Sequence, residues 1–283
     1  MIASAAFCRC TDPPYQLMSV KPAADSGCQN GQNRGGGVLL AIFADIHANK
    51  QAFSACLAAA RARGAEQIVL LGDFVGYGGD PEWSVDTVMA LVEDGAVAVM
   101  GNHDHAVSTP SESMNDNARA VIEWTRDRLD AGQKRFLADL PLVVEDEDRL
   151  YVHAEASAPS RWRYVQDASD AARSMAAIQA PISFCGHIHR PALYSMSVVA
   201  KMSAFTPSAE IAVQLLTGRR WLAVLGSVGQ PRDGNPAAAF AMFDTARNEI
   251  TYCRVPYDIE AAAAQIRAHG LPEWLADRLW TGR

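Results

Sequence analysis

Residues Val38 to Ala44 form an unbroken apolar run, and a run with no polar face fits a strand buried on both sides rather than one half open to water. Such a strand needs a covering layer above and below, and the residues that follow supply candidates. Asn49 can cap a helix running to Arg63, with Phe53, Cys56, Leu57 and Ala60 at helical spacing and Gly64 as its stop. A strand over Gln67–Leu71, a helix over Trp83–Val92 begun by Pro81, and a strand over Ala96–Met100 come next. Strand and helix alternating in this way imply a parallel sheet covered by helices.

The middle of the chain predicts helices over Asn117–Leu129 and Gly132–Leu140, a strand over Arg149–His153, a helix near Ser169–Ile178 and a strand over Ile182–Cys185. From Ala192 the pattern turns to short β runs: Ala192–Val199, Ile211–Leu216, Trp221–Leu225, Ala238–Phe243 and Glu249–Val255, with turn residues such as Asp233-Gly234-Asn235 between them. Amphipathic helices near Ile259–Ala268 and Glu273–Leu279 follow. An α/β half followed by a β-meander points to two sheets packed face to face with helices outside.

Residues 1–36, rich in Gly, Pro, Ser, Gln and Asn and without periodicity, read as a disordered leader, leaving 37–283 as one domain that includes the C-terminal helices at 258–283. Of the 6 cysteines, Cys56, Cys185 and Cys253 sit inside apolar runs, as buried free thiols of a reducing cytoplasm would. No segment approaches the ~20 apolar residues that span a bilayer. A net charge of -7 disfavours a broad surface for extended nucleic acid, so an anionic substrate would need local positive charge.

Chemistry gathers at the ends of the apolar runs: Asp45-Ile46-His47, Gly72-Asp73, Gly101-Asn102-His103-Asp104, Val152-His153 and Gly186-His187-Ile188-His189. Of the 7 histidines only His105 and His269 lie outside these clusters. In Asp45-x-His47 and His187-x-His189 the strand period of 2 would point both side chains to one side. Mixed carboxylate and imidazole donors favour Mn, Fe, Zn, Co or Ni over Mg or Ca. Asp73 can offer both carboxylate oxygens to two ions, with Gly72 keeping bulk out of the turn.

In order and content the five clusters resemble the calcineurin-like metallophosphoesterase superfamily over roughly Val38 to Val255. Asp45-Ile46-His47-Ala48-Asn49, Gly72-Asp73-x-x-Gly76-Tyr77-Gly78 and Ser227-Val228-Gly229-Gln230-Pro231-Arg232 are similar to its small prokaryotic phosphoesterases. The resemblance implies a four-layer α/β/β/α sandwich of two mixed β-sheets and a site for two divalent transition-metal ions. Asp45, His47 and His189 would hold the first ion, Asn102, His153 and His187 the second, and Asp73 would bridge. His103 would face the scissile phosphate, as general acid or charge stabiliser, and Asp104 would orient His103. The implied reaction is in-line attack on phosphorus by a metal-bridging hydroxide, on a monoester or a diester of a small molecule.

Within that superfamily, Met100 and Asp104 depart from the arginine and glutamate that protein Ser/Thr phosphatases carry, which also weighs against a diadenosine polyphosphate hydrolase. Leu225-Gly226-Ser227 departs from an Asn-Pro-Gly-Ser pattern of relatives. A metal-free partner-binding scaffold is the non-enzymatic alternative, against which every ligand position is filled. Asn49, Tyr77 and Arg232 are candidate substrate contacts: Asn49 otherwise caps a helix, Tyr77 lies in a glycine-rich loop, and the Arg232 guanidinium matches phosphate geometry. Loops around Tyr77, His105, Glu155 to Gln166 and Arg232 would select the substrate.

Overall fold

Strands and helices alternate from Leu39 onward, as the apolar pattern predicts. The computed structural model describes residues 18–19, 37–109 and 116–283, so the expected leader falls outside the described residues except for Met18–Ser19. In chain order the first half runs β1 (Met18–Ser19), β2 (Leu39–Phe43), α1 (Lys50–Ala62), β3 (Gln67–Leu70), α2 (Pro81–Glu93), β4 (Val97–Ala98), α3 (Asn102–Ser108), α4 (Asp116–Arg128) and α5 (Ala131–Asp139). The second half runs β5 (Val143–Asp146), β6 (Arg149–Val152), α6 (Ala168–Ala176), β7 (Ile182–Cys185), β8 (Ala192–Ser197), β9 (Met202–Phe205), β10 (Ala212–Gln214), β11 (Arg219–Val224), β12 (Ala238–Asp244), β13 (Glu249–Val255), α7 (Ile259–Ala268) and α8 (Glu273–Asp277).

Two mixed sheets result, in the orders β10-β13-β12-β2-β3-β4 and β1-β5-β6-β7-β11-β8-β9. In the first, β2, β3 and β4 are parallel, and Phe43 pairs with Leu70, so the chain leaves both strands at the same level. In the second, β6, β7 and β11 are parallel, with Tyr151 opposite Phe184 and Cys185 opposite Val224. The carboxyl ends of these two parallel blocks carry the chemistry-bearing clusters.

Side-chain alternation explains the layers. Leu40, Ile42 and Val69 meet Tyr151, Phe184, Leu193 and Ala223 between the sheets. Ala41, Phe43 and Leu70 turn outward against Phe53 and Leu57 of α1 and Val85 and Val88 of α2. On the other side Val152, Cys185 and Leu222 cover Ala171 and Met175 of α6. With both faces buried, β2 has no solvated side, which is why its sequence is apolar throughout. Phe43 stacks on Phe240 at 5.2 Å and meets Phe53 edge-on at 5.7 Å, and truncating such a ring typically costs about 3–5 kcal/mol.

Some expectations need correction. The β runs after Ala192 are not a meander: β8, β9 and β11 join one sheet and β10, β12 and β13 the other. Alternation specifies which face a residue buries, not which strand it pairs with. The strand expected over Ala96–Met100 is only Val97–Ala98. Asn102–Ser108 is helical, while Val143–Asp146 and Met202–Phe205 are strands the apolar pattern did not mark. Cys56, Cys185 and Cys253 are buried and unpaired, and among the described residues no helix is long and apolar enough to cross a membrane.

Candidate metal centre

The site residues lie just past the strands, not on them. β2 ends at Phe43 and β7 at Cys185, and Asp45 (φ 56), His47 (φ 49), Asp73 (φ 55), His187 (φ 70) and His189 (φ 59) all adopt left-handed backbone. Convergence of Asp45 with His47 and of His187 with His189 therefore comes from tight left-handed turns, not from the strand period expected of them. Such conformations cost non-glycine residues of order 1–3 kcal/mol each and persist where their surroundings fix them. Here backbone bonds lace the turns together: Asp45 N–H donates to Gly72 O at 3.1 Å, His47 N–H to Asp73 O at 2.9 Å and Gly229 N–H to Asp45 O at 2.9 Å. Gly72, at φ +82, places its Cα so near Gly101 that a Cβ would lie 2.5 Å from the Gly101 nitrogen.

Hydrogen bonding on the outer side of each imidazole fixes what faces inward. His47 Nδ1 lies 3.0 Å from Val75 O, His153 Nδ1 2.7 Å from Leu71 O, and His189 Nδ1 2.6 Å from Gln230 O. A carbonyl oxygen only accepts, so each Nδ1 carries a hydrogen, and His47 and His189, when neutral, turn an Nε2 lone pair inward. His187 is reversed, with Nε2 donating to Trp162 O at 2.9 Å and Nδ1 facing in. His47 Nε2 and His189 Nε2 are then 3.1 Å apart, as are His153 Nε2 and His187 Nδ1, and Asn102 Oδ1 is 3.1 Å from His153 Nε2.

Lone pairs facing one another at that separation repel unless a proton or a metal cation lies between them. Two sets of donors collect in this way, Asp45, His47, Asp73 and His189, and Asp73, His153 and His187, all buried. Asp73 belongs to both, through one oxygen: Oδ2 is 3.7 Å from His47 Nε2 and 3.3 Å from His153 Nε2, while Oδ1 accepts the His103 N–H at 2.8 Å. The donors are of the mixed oxygen and nitrogen type that suits transition metals, and their arrangement can hold two ions.

Charge in the cluster behaves accordingly. Burial pulls His47 well below its ordinary value and His187 to about 3, so these rings are neutral and ready to donate lone pairs. His153 is the exception: burial pulls it down, but the Asp73 and Asp45 carboxylates outweigh that and lift it to about 9, holding a proton where a cation would otherwise offset them.

His103 stands beside this cluster, its ring 4.9 Å from that of His47 and 4.5 Å from that of Tyr77. Its Nδ1 is buried without a partner. Gly76, at φ +86, makes room for it: a Cβ there would lie 2.3 Å from that nitrogen. Asp104 does not orient His103. Its carboxylate accepts four backbone N–H groups instead, from Asp73 and Phe74 at 2.8 Å each, Gly101 at 3.0 Å and Val75 at 3.3 Å. One step further along α3, Asp104 points back at the turns that carry Asp73 and Asn102.

Of the candidate substrate contacts, Asn49 is corrected to a structural role: its Oδ1 caps α1 at Ala52 N, 3.1 Å away, its Nδ2 donates to Gly229 O at 2.9 Å, and it is buried. Tyr77 is brought to the site, its ring 4.6 Å from His47. Arg232 lies over the outer side of that ring, 5.5 Å from its centroid, and bonds Gln230 Oε1 at 2.7 Å. His105 is in α3, 5.8 Å from the Trp162 ring, and His269 caps the end of α7. The loop of Ser227, despite its departure from relatives, still supports the site, because Ser227 Oγ donates to Asp45 O at 2.8 Å.

Two contributors escaped the motif reading. Trp162, left-handed at φ 51, supplies the carbonyl that orients His187, and Tyr164 stacks on the His187 ring at 4.2 Å and 12°. Both fall in the segment from Glu155 to Gln166, whose only signal was its position after a ligand cluster and its aromatic content.

Comparison with known proteins agrees with this geometry. Residues 38–248 match the family model of the calcineurin-like phosphoesterase superfamily domain. A protein of Methanocaldococcus jannaschii described only as uncharacterized is 32% identical over 252 residues, 87% of this chain and 98% of its own. A metallophosphoesterase from Sphaerobacter thermophilus superposes with a TM-score of 0.77 at 34% identity, covering 87% of this chain and 100% of that one. A hypothetical protein from Pyrococcus horikoshii shares the fold at a TM-score of 0.69 and 19% identity, over 87% of this chain and 99% of its own. The chain belongs to the calcineurin-like phosphoesterase superfamily and is a metal-dependent phosphoric ester hydrolase.

Proposed function

We propose that this chain hydrolyses a phosphoester of a small molecule at a pair of divalent transition-metal ions, with manganese the first metal to try. Asp45, His47 and His189 would hold one ion, Asn102, His153 and His187 the other, and Asp73 would serve both. The observation that carries this reading is the inward lone pairs: His47 Nε2 and His189 Nε2 at 3.1 Å, with both outer nitrogens committed to carbonyls. When bound, the cations supply Lewis-acid charge on the phosphoryl oxygens and activate water.

The remaining work falls to side chains. His103 is held by its backbone bond to Asp73 Oδ1 at 2.8 Å, so the ring keeps its place as that carboxylate is engaged. Burial holds the free ring at about 4, hence neutral; the negative charge of a bound phosphoryl group would raise it, and the protonated ring would then give a proton to the leaving oxygen, a contribution of about 10²–10⁴ in rate for a positioned acid. Tyr77 and Tyr164 wall the cluster on either side, Tyr77 against His47 and Tyr164 on His187, and exclude bulk water from the rings. Buried Cys56, Cys185 and Cys253 thiols suit a cytoplasmic setting.

The test is metal content and turnover together. Protein stripped with chelator and reloaded should take up two ions per chain, and Asp73→Ala should lose both along with activity. A panel of phosphomonoesters, linear diesters and 2′,3′-cyclic nucleotides, assayed with Mn, Ni, Co, Zn and Mg, then fixes ester class and metal. Folded protein that binds no metal in either form sinks the proposal.

A further inference from the structure

A cavity of about 700 Å³ opens beside the metal centre, lined by Arg190, Arg232, Arg278, Arg283, Thr206 and Asp233 among others. That volume is of the size that holds a small-molecule ligand. In a chain of net charge -7, four arginines around one cavity stand out. The acidic residue in the lining does not neutralise them, because Asp233 is ion-paired with Arg254 from β13. The guanidinium of Arg190 donates to the Arg232 carbonyl at 2.8 Å, that of Arg232 to Gln230 Oε1 at 2.7 Å, and that of Arg278 to the terminal carboxylate of Arg283. The first two partners are neutral, and the terminal carboxylate of Arg283 offsets only one of the four guanidinium charges, so the cavity keeps a net positive charge. Arg278, pulled down to about 10 first by burial and then by Arg232, shows the same imbalance.

The cavity is tied to the metal centre. Arg190 directly follows the ligand His189, and Arg232 N–H donates to the His189 carbonyl at 3.2 Å. The Arg232 guanidinium lies 5.5 Å from the centroid of the Tyr77 ring, which in turn is 4.6 Å from His47 and 4.5 Å from His103. A series of side chains thus runs from the metal ligand His47 through Tyr77 to Arg232, which lines the cavity together with Arg278. Guanidinium groups recognise phosphoryl oxygens with paired, charge-assisted hydrogen bonds, and several around one cavity suit a dianion.

We infer that this arginine-lined cavity binds a second phosphoryl group of the substrate, so that the substrate class is a small metabolite carrying two phosphoryl groups, one hydrolysed at the metal centre and one held by Arg190, Arg232 and Arg278. This rests on the phosphoester hydrolase reading above. It accounts for how an acidic protein attracts a polyanion, and it assigns Arg190 and Arg278, which no ligand motif includes, to substrate selection.

The experiment has two arms on the full chain. In the first, metal-stripped protein is titrated with inorganic phosphate by calorimetry, as wild type and as the Arg190→Gln, Arg278→Gln double variant. Binding by the wild type that is lost in the double variant supports the cavity, whether or not the protein hydrolyses anything. In the second, manganese-loaded protein is assayed with nitrophenyl phosphate and with adenosine 3′,5′-bisphosphate. Arg278→Gln should lower kcat/KM for the bisphosphate roughly ten- to a hundredfold more than for nitrophenyl phosphate, the loss of one charge-assisted contact, with Arg278→Lys recovering part of it. Equal losses on both substrates, or phosphate binding unchanged in the double variant, would overturn the inference while leaving the hydrolase reading in place. Absence of hydrolysis with every metal, together with arginine-dependent phosphate binding, would overturn only the hydrolase reading.

Discussion

Replacing Asp104 with Asn separates two accounts of that residue. In the structure its Oδ2 accepts Asp73 N–H at 2.8 Å and Gly101 N–H at 3.0 Å, and its Oδ1 accepts Phe74 N–H at 2.8 Å and Val75 N–H at 3.3 Å. An Asn side chain has one acceptor oxygen, so at best one of these pairs survives and the new amide NH₂ confronts the other pair of donors. Asp104 is fully buried, so the two orphaned N–H groups have no water to turn to. At about 1–3 kcal/mol for each buried donor left unsatisfied, the loss is about 2–6 kcal/mol. For a domain of this size roughly 2–4 °C of Tm goes with each kcal/mol, so the metal-free protein should melt about 4–24 °C lower. Because the loosened groups carry Asp73 and the Gly101 turn that leads to Asn102, affinity for both ions should fall as well. Calorimetric melts with and without manganese, paired with a metal titration, measure both effects. Were Asp104 instead an orienting partner of the His103 ring, the substitution would leave Tm and metal affinity in place and alter only the pH dependence of turnover; that result would refute the loop-clamp account.

Three further outcomes follow from the same geometry. Gly76→Ala should lower turnover at least tenfold with both ions retained, since its Cβ would lie 2.3 Å from His103 Nδ1 at a backbone φ of +86; wild-type rates would show that His103 does not need its present place. His103→Asn should keep both metals yet slow hydrolysis of an alkyl phosphate more than of nitrophenyl phosphate, as loss of a general acid requires, whereas equal slowing would assign it to charge stabilisation. In metal-stripped protein, His187 at about 3 and His103 at about 4 stay neutral while the unfolded chain takes up protons, so stability should fall as pH drops below 6.5. His153, raised to about 9, works the other way: its stabilisation is complete below 6.5 and lost as pH rises toward 9, so Tm should peak near 6.5. Bound manganese should abolish the alkaline decline by taking the place of that proton, and a Tm series over pH with and without metal checks it.

Much of this was legible in the residues because burial writes itself into apolar pattern. β2 and β3 are covered on both faces, so their runs are continuous, and α1 shows its cap at Asn49 and its stripe at Phe53, Cys56 and Leu57. Where an element is defined by polar contacts, the pattern fails. α3 is made of Asn102-His103-Asp104-His105 and starts because the Asp104 carboxylate accepts Gly101 N–H at 3.0 Å, which no hydrophobic period encodes. β9 is exposed along most of its length, so nothing in its sequence alternates. The ligand set was readable as types and order, but not the way it converges: His187 depends on the carbonyl of Trp162, 25 residues earlier in the chain, and a main-chain oxygen leaves no mark on residue identity.

The placement of ligands on left-handed turns explains why the site is built this way. A strand would hold Asp45 and His47 at the spacing of its own pleat and leave their outer atoms facing other side chains. In the left-handed turns, backbone carbonyls of the neighbouring turns come within reach of the outer ring nitrogens instead: Val75 O for His47 and Gln230 O for His189. Those oxygens cannot rotate away as a side chain can, so tautomer and ring angle are set by the main chain. The strain of five left-handed ligands is offset by the bonds that lace Asp45, His47 and Gly229 to adjoining loops. What the backbone cannot offset is the repulsion of the inward His47 and His189 lone pairs at 3.1 Å, and a bound cation would remove that repulsion directly. Metal affinity and folding stability are therefore two readings of one quantity in this fold, and any substitution that relaxes the turns should weaken both in proportion.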